Sequence, residues 1–353
     1  MKLGLGLYRQ MLTPDNFRFA RQAGATHIVA HYTDYFAEGP RIPQSESEGS
    51  GWGVTQNEGK LWTAEELTLL RQAVEAEGLT LEALENFDPS FWYDILLDGP
   101  KKARQLEDMK TLIRNVGAAG IPIMGYNFSI AGVWGHVVGP WARGGAESVG
   151  FLGPDGPMET PIPNGQIWNM TYDPDAAPGV IPPIDSEALW ARLGDFLHAV
   201  VPVAEEAGVR LAAHPDDPPM PTIRGYARLV HHPDHYQRLL DIHPSPSNGL
   251  EFCQGTIAEM AGADVYEAVD RFSKLGAIGY VHFRNVRGKV PNYHEVFVDE
   301  GDVDMIECLR IYKRNGYDGV IIPDHTPQIA CAASWHAGMA YALGYMKAAL
   351  TLI

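Results

Sequence analysis

Four residues of metal-ligating type end four consecutive apolar runs: His214 closes VRLAAH, Cys253 closes NGLEFC, His282 ends GYVHF, and Asp324 follows VIIP. They are separated by 39, 29 and 42 residues, each about the length of one strand plus one helix. Taken singly, Cys253 suits a buried apolar position, each histidine a satisfied loop site, and Asp324 a turn cap. Four equivalent positions in consecutive units argue instead for a shared centre. Side chains at neighbouring strand ends lie roughly 5 Å apart, a cage for one divalent ion. Two imidazoles, a thiolate and a carboxylate suit Mn, Fe, Co or Zn better than Mg or Ca, and the thiolate tilts intrinsic affinity toward Zn or Fe(II). No contiguous metal motif is present, so the ligand set exists only if the fold brings these strand ends together.

Other polar residues take similar positions: His31, Glu85, Asn86, Asn127, the Asp216-Asp217 pair, Arg284, Asn285 and His325. His325 directly follows a proposed ligand and has a side chain that titrates near neutrality, so it is a candidate general acid or base. Arg284 stands two residues beyond His282. In an extended segment it shares that ligand's face, where its guanidinium is expected to clamp a carboxylate. His198, His231, His232 and His235 lie in helix-like segments and read as surface or packing residues. Cys308 reads as helix packing, and Cys331 lies close enough to His325 to stay open.

The elements that must position these residues alternate along the chain. Apolar runs at 2–8, 27–32, 79–84, 121–128, 209–214, 248–253, 278–283 and 319–325 precede helical patterns at 14–23, 64–77, 101–118, 187–207, 223–240, 265–275, 303–315 and 334–350. The runs are apolar throughout, as expected of parallel strands covered on both faces. Thr63, Asp185-Ser186 and Asp302 read as N-caps. Eight strand–helix units predict an α/β fold, a (β/α)8 TIM barrel over residues 1–353 as a single domain. A doubly wound sheet is the alternative, without a GxGxxG or P-loop after any strand. Segments near 34–62 and 129–185 break the rhythm after strand ends and are expected on the catalytic face as lids or pocket walls.

Composition agrees. The chain has 353 residues, 45% hydrophobic and 20% charged, which excludes disorder, collagen-like repeats and coiled coil. A net charge of -17 argues against nucleic acid and anionic membrane surfaces. It also repels a small acid unless a cation inverts the field locally. Three cysteines point away from a disulfide framework and toward a reducing compartment. The N-terminal MKLGLGLYRQ reads as neither leader nor membrane span. A cytoplasmic homo-oligomer is expected.

Several stretches carry a resemblance: VEAEGLTLEALEN, IRNVGAAGIPIMGYNF, HPDDPP, SPSNGLEFCQG, HFRNV, GDVDMIECLR and GYDGVIIPDH, in order between residues 62 and 325. Together they resemble the mannonate dehydratase family of the xylose-isomerase-like TIM-barrel group. The resemblance implies a carbon–oxygen lyase that converts D-mannonate to 2-keto-3-deoxy-D-gluconate and water, usually with Mn(II) or Fe(II), Zn or Co being alternatives. It places the metal ligands on His214, Cys253, His282 and Asp324. Asn127 and Arg284 are then substrate contacts, with Glu85 and His31 beside them, and Asp324 and His325 belong to the proton-transfer machinery. There are departures. The family's tyrosine downstream of PDH has no clear counterpart in WHAGMAYALG (335–344), where His336 or Tyr341 is the expected substitute, and DWTR after YNF reads VWGH (133–136). The N-terminal 60 residues match poorly. A sugar isomerase, epimerase or glycoside-cleaving lyase on a related polyol is the alternative, and a non-catalytic carbohydrate-binding protein the third reading.

Overall fold

The computed structural model describes residues 1–42, 52–55, 60–153 and 160–353. Eight parallel strands close on themselves: β1 Lys2–Leu7, β2 His27–Ala30, β3 Thr80–Glu85, β4 Ile123–Tyr126, β5 Arg210–Ala213, β6 Asn248–Cys253, β7 Ile278–His282 and β8 Val320–Ile322. Each pairs with its sequence neighbours, and β1 pairs with β8, so the barrel has no open edge. Two apolar layers result. A large cluster fills the space between strands and surrounding helices. A smaller one of Val29, Ala83, Ile123, Ala212, Tyr280, Val320 and Ile322 fills the lumen, as expected when alternate side chains of every strand point inward.

Helix boundaries follow local chemistry. The helix Ala64–Ala76 opens on a reciprocal capping box between Thr63 and Glu66, and Asp185 caps Ser186–Ala207. Two expectations are corrected. The cap of Met305–Arg314 is Asp304, which accepts from the amides of Ile306 and Glu307, whereas Asp302 accepts from Gly288 N in a neighbouring hairpin. The helix expected from 223 begins at Pro233 and runs to Ile242. Proline has no amide hydrogen to donate, so it opens a helix more readily than it continues one. The residues before it, Thr222–Ile223 and Tyr226–Ala227, form a short antiparallel pair turned by Arg224 and Gly225 at positive φ.

The long segment after β4 has structure of its own. Val137–Ala142 and Ala146–Phe151 pair with each other, and Ala146–Phe151 also pairs with the hairpin Asn285–Lys289/Asn292–Val296 that follows β7. This four-stranded antiparallel sheet reaches the C-terminal ends of the barrel strands through His136, Tyr293 and Glu295. Parts of both expected insertions, 43–51, 56–59 and 154–159, lie outside the described residues. Among the described residues, no helix is long and apolar enough to cross a membrane.

Candidate active site

The register of β6 on β7 sets Cys253 opposite His282, and β5 delivers His214 from the other side. One ligand atom each from His214, Cys253 and His282 lies within 4.8 Å of the others. His214 Nδ1 is 2.6 Å from the Pro215 carbonyl, so it donates there and leaves Nε2 for the centre. Asp324 joins through His282, with Oδ1 3.6 Å from Nδ1. Burial raises the Cys253 thiol, but Arg284 and hydrogen bonds from the two histidines outweigh it and bring the thiol down to about 6. His214 moves the other way: burial opposes its charge, and the thiolate lifts it to about 9. His282 Nδ1, although buried, makes no hydrogen bond. A ready thiolate, two imidazoles and a carboxylate converging beside an unpartnered ring nitrogen fit a divalent cation.

Arg284 is placed as expected beside His282 but is engaged differently. Its side chain is 2% exposed. Nη2 lies 2.8 Å from Asp217 and 3.2 Å from Glu259, Nη1 pairs closely with Glu295, and Nε lies 3.5 Å from Asp324. The fork expected to clamp a substrate carboxylate is thus taken up by four carboxylates of the protein. Gly255 permits the approach, since a Cβ there would come within 2.4 Å of Arg284 Nε. The adjacent pair splits: Asp217 faces this cation, while Asp216 turns to the buried Arg228.

His325 sits at the mouth with 37% of its side chain exposed. Nδ1 is 3.0 Å from Glu295, and Nε2 is 3.4 Å from Asp324. Burial works against its charge, yet Asp324 and Glu295 raise it to about 9, so the imidazole is protonated at neutral pH and can act as an acid.

The remaining expected residues divide. Glu85 Oε2 reaches His282 Nε2 at 3.3 Å and His31 Nε2 at 3.6 Å, inside the site. His31 also stacks on Tyr8 and lies 3.1 Å from the Tyr35 hydroxyl. Asn127 is close by, but its amide is used within the protein: it donates to Pro215 O and accepts from the Trp168 indole. His336 is not brought in. Its Nε2 is 2.9 Å from Asn16, and the ring packs edge-on to Phe19 on the outer helices. Tyr341 lies on Phe297 and next to Arg143. Position 336 falls in a helix of the outer layer, Ser334–Leu352, so its spacing from PDH does not carry it to the strand ends.

Six residues of the site carried no role in the sequence reading. Tyr8, at the end of β1, stacks on His31. Glu295 and Tyr293 arrive on the hairpin after β7, and Glu259 on the helix Gln254–Glu259. Glu251 sits two residues before Cys253; a lone carboxylate inside an otherwise apolar strand run was the available signal. His136, from the altered VWGH, reaches Asp217 at 3.3 Å and Tyr293 at 3.0 Å.

A closed parallel barrel with this constellation at its C-terminal strand ends is a (β/α)8 TIM barrel with a candidate metal centre. The chain aligns in full with a xylose isomerase domain protein of Planctomyces limnophilus, covering 98% of it at TM-score 0.59 and 13% identity, a likeness of fold alone. More particularly, the chain belongs to the mannonate dehydratase family: the family model described as D-mannonate dehydratase (UxuA) matches residues 14–139 and 180–349. It is 33% identical to the mannonate dehydratase of Streptococcus pneumoniae (strain 70585) over 288 residues, 77% of this chain and 76% of the relative. The Thermotoga maritima mannonate dehydratase is 31% identical over 297 residues, 76% and 78% of the two chains. The crystal structure of mannonate dehydratase from Streptococcus suis serotype 2 superposes at TM-score 0.78 with 27% identity, covering all of this chain and 94% of the other. The match begins well before residue 62, so the N-terminal region belongs to the family pattern more than its motifs show. The unmatched stretch between 139 and 180 falls within the insertion after β4.

Proposed function

We propose that the protein is a metal-dependent sugar-acid dehydratase that converts D-mannonate to 2-keto-3-deoxy-D-gluconate and water. One observation carries the reading: His214, Cys253 and His282 converge at the ends of three adjacent strands, with His325 beside them at the mouth, held between Asp324 and Glu295. His214, Cys253, His282 and Asp324 would hold the ion. When bound, a divalent cation offsets the negative charge that builds on substrate oxygens as the proton α to the carboxylate is drawn off. The chain's own residues handle the protons. His325, held as a cation between Asp324 and Glu295, gives its proton to the departing hydroxyl, which leaves as water. The proton taken from the neighbouring carbon returns to the same Asp324–His325–Glu295 group and restores its starting state. Tyr8, His31 and Tyr35 pack ring against ring beside Glu85.

The state of Arg284 favours a second reading. With its guanidinium spent on four carboxylates, it offers no free fork to a carboxylate substrate, which suits a neutral keto-sugar or polyol and an isomerase or epimerase reaction. The two readings separate in one experiment. Protein reconstituted in turn with Mn(II), Fe(II), Co(II) and Zn(II) is incubated with D-mannonate, and in parallel with neutral ketohexoses, and the products are followed. Formation of 2-keto-3-deoxy-D-gluconate supports the dehydratase. Its absence with every metal, together with epimerisation of a neutral sugar, overturns the dehydratase in favour of the second reading.

A further inference from the structure

Beneath the metal-ligating layer lies a second polar layer. Alternate residues of a strand point the same way, so Glu251, two residues before Cys253, and Tyr280, two before His282, sit one step deeper in the lumen, opposite each other in register. Glu251 is completely buried, and an ionisable group there is strongly unfavourable unless it has a partner. Its nearest ionisable partner is His282, which it meets as an ion pair while both its oxygens stay without a hydrogen bond. Its Nε2 lies 3.2 Å from Glu251 Oε1 and 3.3 Å from Glu85 Oε2, while Nδ1 faces Asp324 on the opposite side of the ring. Gly125 on β4 makes room for this layer: a Cβ there would stand 2.4 Å from Glu251 Oε2 and 2.5 Å from the Tyr280 hydroxyl.

We propose that Glu251 is a positioning residue: Glu85 takes the hydrogen bond of the His282 Nε2–H, Glu251 closes on the same nitrogen from below as an ion-pair partner, and the two carboxylates together turn Nδ1 toward the metal centre. One hydrogen-bonded and one ion-paired carboxylate on the same ring nitrogen leave the other nitrogen as the lone-pair donor and restrict rotation of the ring. A carboxylate behind a ligating histidine characteristically changes metal affinity by about 10–100-fold when it is removed. The inference rests on the metal-dependent reading above and concerns the holding of the ion, not the identity of the substrate.

The test uses full-length wild type, Glu251→Leu and Glu251→Gln, with Co(II) as the probe. Affinity and stoichiometry are read by calorimetry, and the thiolate-to-Co(II) and d–d absorption bands report ligand geometry. Leucine removes both oxygens at similar volume, so E251L is expected to bind Co(II) about tenfold or more weakly with displaced bands, while E251Q, which keeps a polar oxygen at the same reach, stays within about threefold of wild type. Should E251L fail to fold by circular dichroism, Gly125→Ala takes its place; its new Cβ displaces the Glu251 carboxylate without replacing any ligand, and the same weakening is expected. Wild-type affinity and bands in the variant overturn the proposal. So does a second Co(II) per chain that disappears with Glu251, because the Glu85, Glu251 and His282 donor atoms, also within 4.8 Å of one another, would then be a cation site. Wild type that binds no Co(II) or Mn(II) instead overturns the metal-dependent reading itself.

Discussion

Replacing Arg284 by Met separates a cation that holds the site together from one that holds a substrate. The guanidinium is 2% exposed and within 3.5 Å of Asp217, Glu259, Glu295 and Asp324. Methionine fills most of the volume, so cavity terms are small. What remains is a set of buried carboxylates without their counter-ion, and breaking a buried ion pair from one side costs about 3–5 kcal/mol. That is a large part of the roughly 5–15 kcal/mol that stabilises a typical domain. With a urea dependence near 3 kcal/mol per molar, the unfolding midpoint drops by about 1 M or more. The assay is urea denaturation at pH 7, followed by far-ultraviolet circular dichroism. The sign of its pH dependence is also set: stranded carboxylates have folded-state pKa values raised above their unfolded ones, so they destabilise more as pH rises. The deficit at pH 5 is therefore smaller than at pH 7. A midpoint within about 0.3 M of wild type, combined with a raised KM, would refute this reasoning and return Arg284 to the role of substrate clamp.

Two further perturbations test other parts of the site and fold. His325→Ala is expected to lower kcat at least about 100-fold with metal content by elemental analysis unchanged; undiminished turnover would exclude His325 from proton transfer. His235, whose pKa burial and then the neighbouring His231 and His232 lower to about 4, contributes stability that is complete above its unfolded pKa of about 6.5 and is lost as pH falls toward 4. Melting temperatures of wild type and His235→Asn should thus converge or cross between pH 7.5 and 5, and parallel curves would show that His235 titrates freely.

The barrel was legible because its signal is local and repeated. Each strand needs only a short apolar run, and each helix a longer periodic one, and eight repeats leave few architectures that bury both. Asn248–Cys253 and Pro14–Ala23 fall where the pattern puts them. The errors occur where one residue decides: Pro233 moves a helix start by ten positions, and Asp304 rather than Asp302 captures two amide hydrogens. The sheet beside the mouth was less accessible. Its strands, 137–151 and 285–296, come from segments far apart in the chain, and their pairing is a tertiary fact that neither segment encodes alone.

The candidate site was legible in one plane only. Reading the last residue of each strand run finds His214, Cys253, His282 and Asp324, because a barrel stacks its strand ends into a single ring. The same reading sees neither the layer below nor the loops above. Glu251 shares the inward face of Cys253 by the period of two, so the rule that found the ring finds this layer too once it is applied two residues earlier. Glu295, Glu259 and His136 follow no such rule; they arrive on a hairpin, a short helix and an inserted loop, and only the folded contacts assign them to Arg284 and Asp217. That distinction explains why Arg284 was placed correctly but engaged differently. Its position follows from strand period, which is local, whereas its partners follow from where four separate segments bring their carboxylates. The buried arginine is thus consumed by four of the protein's own carboxylates, so under the proposed dehydratase reading the charge that attracts an acid substrate would come from His325 and from an ion held by His214, Cys253, His282 and Asp324.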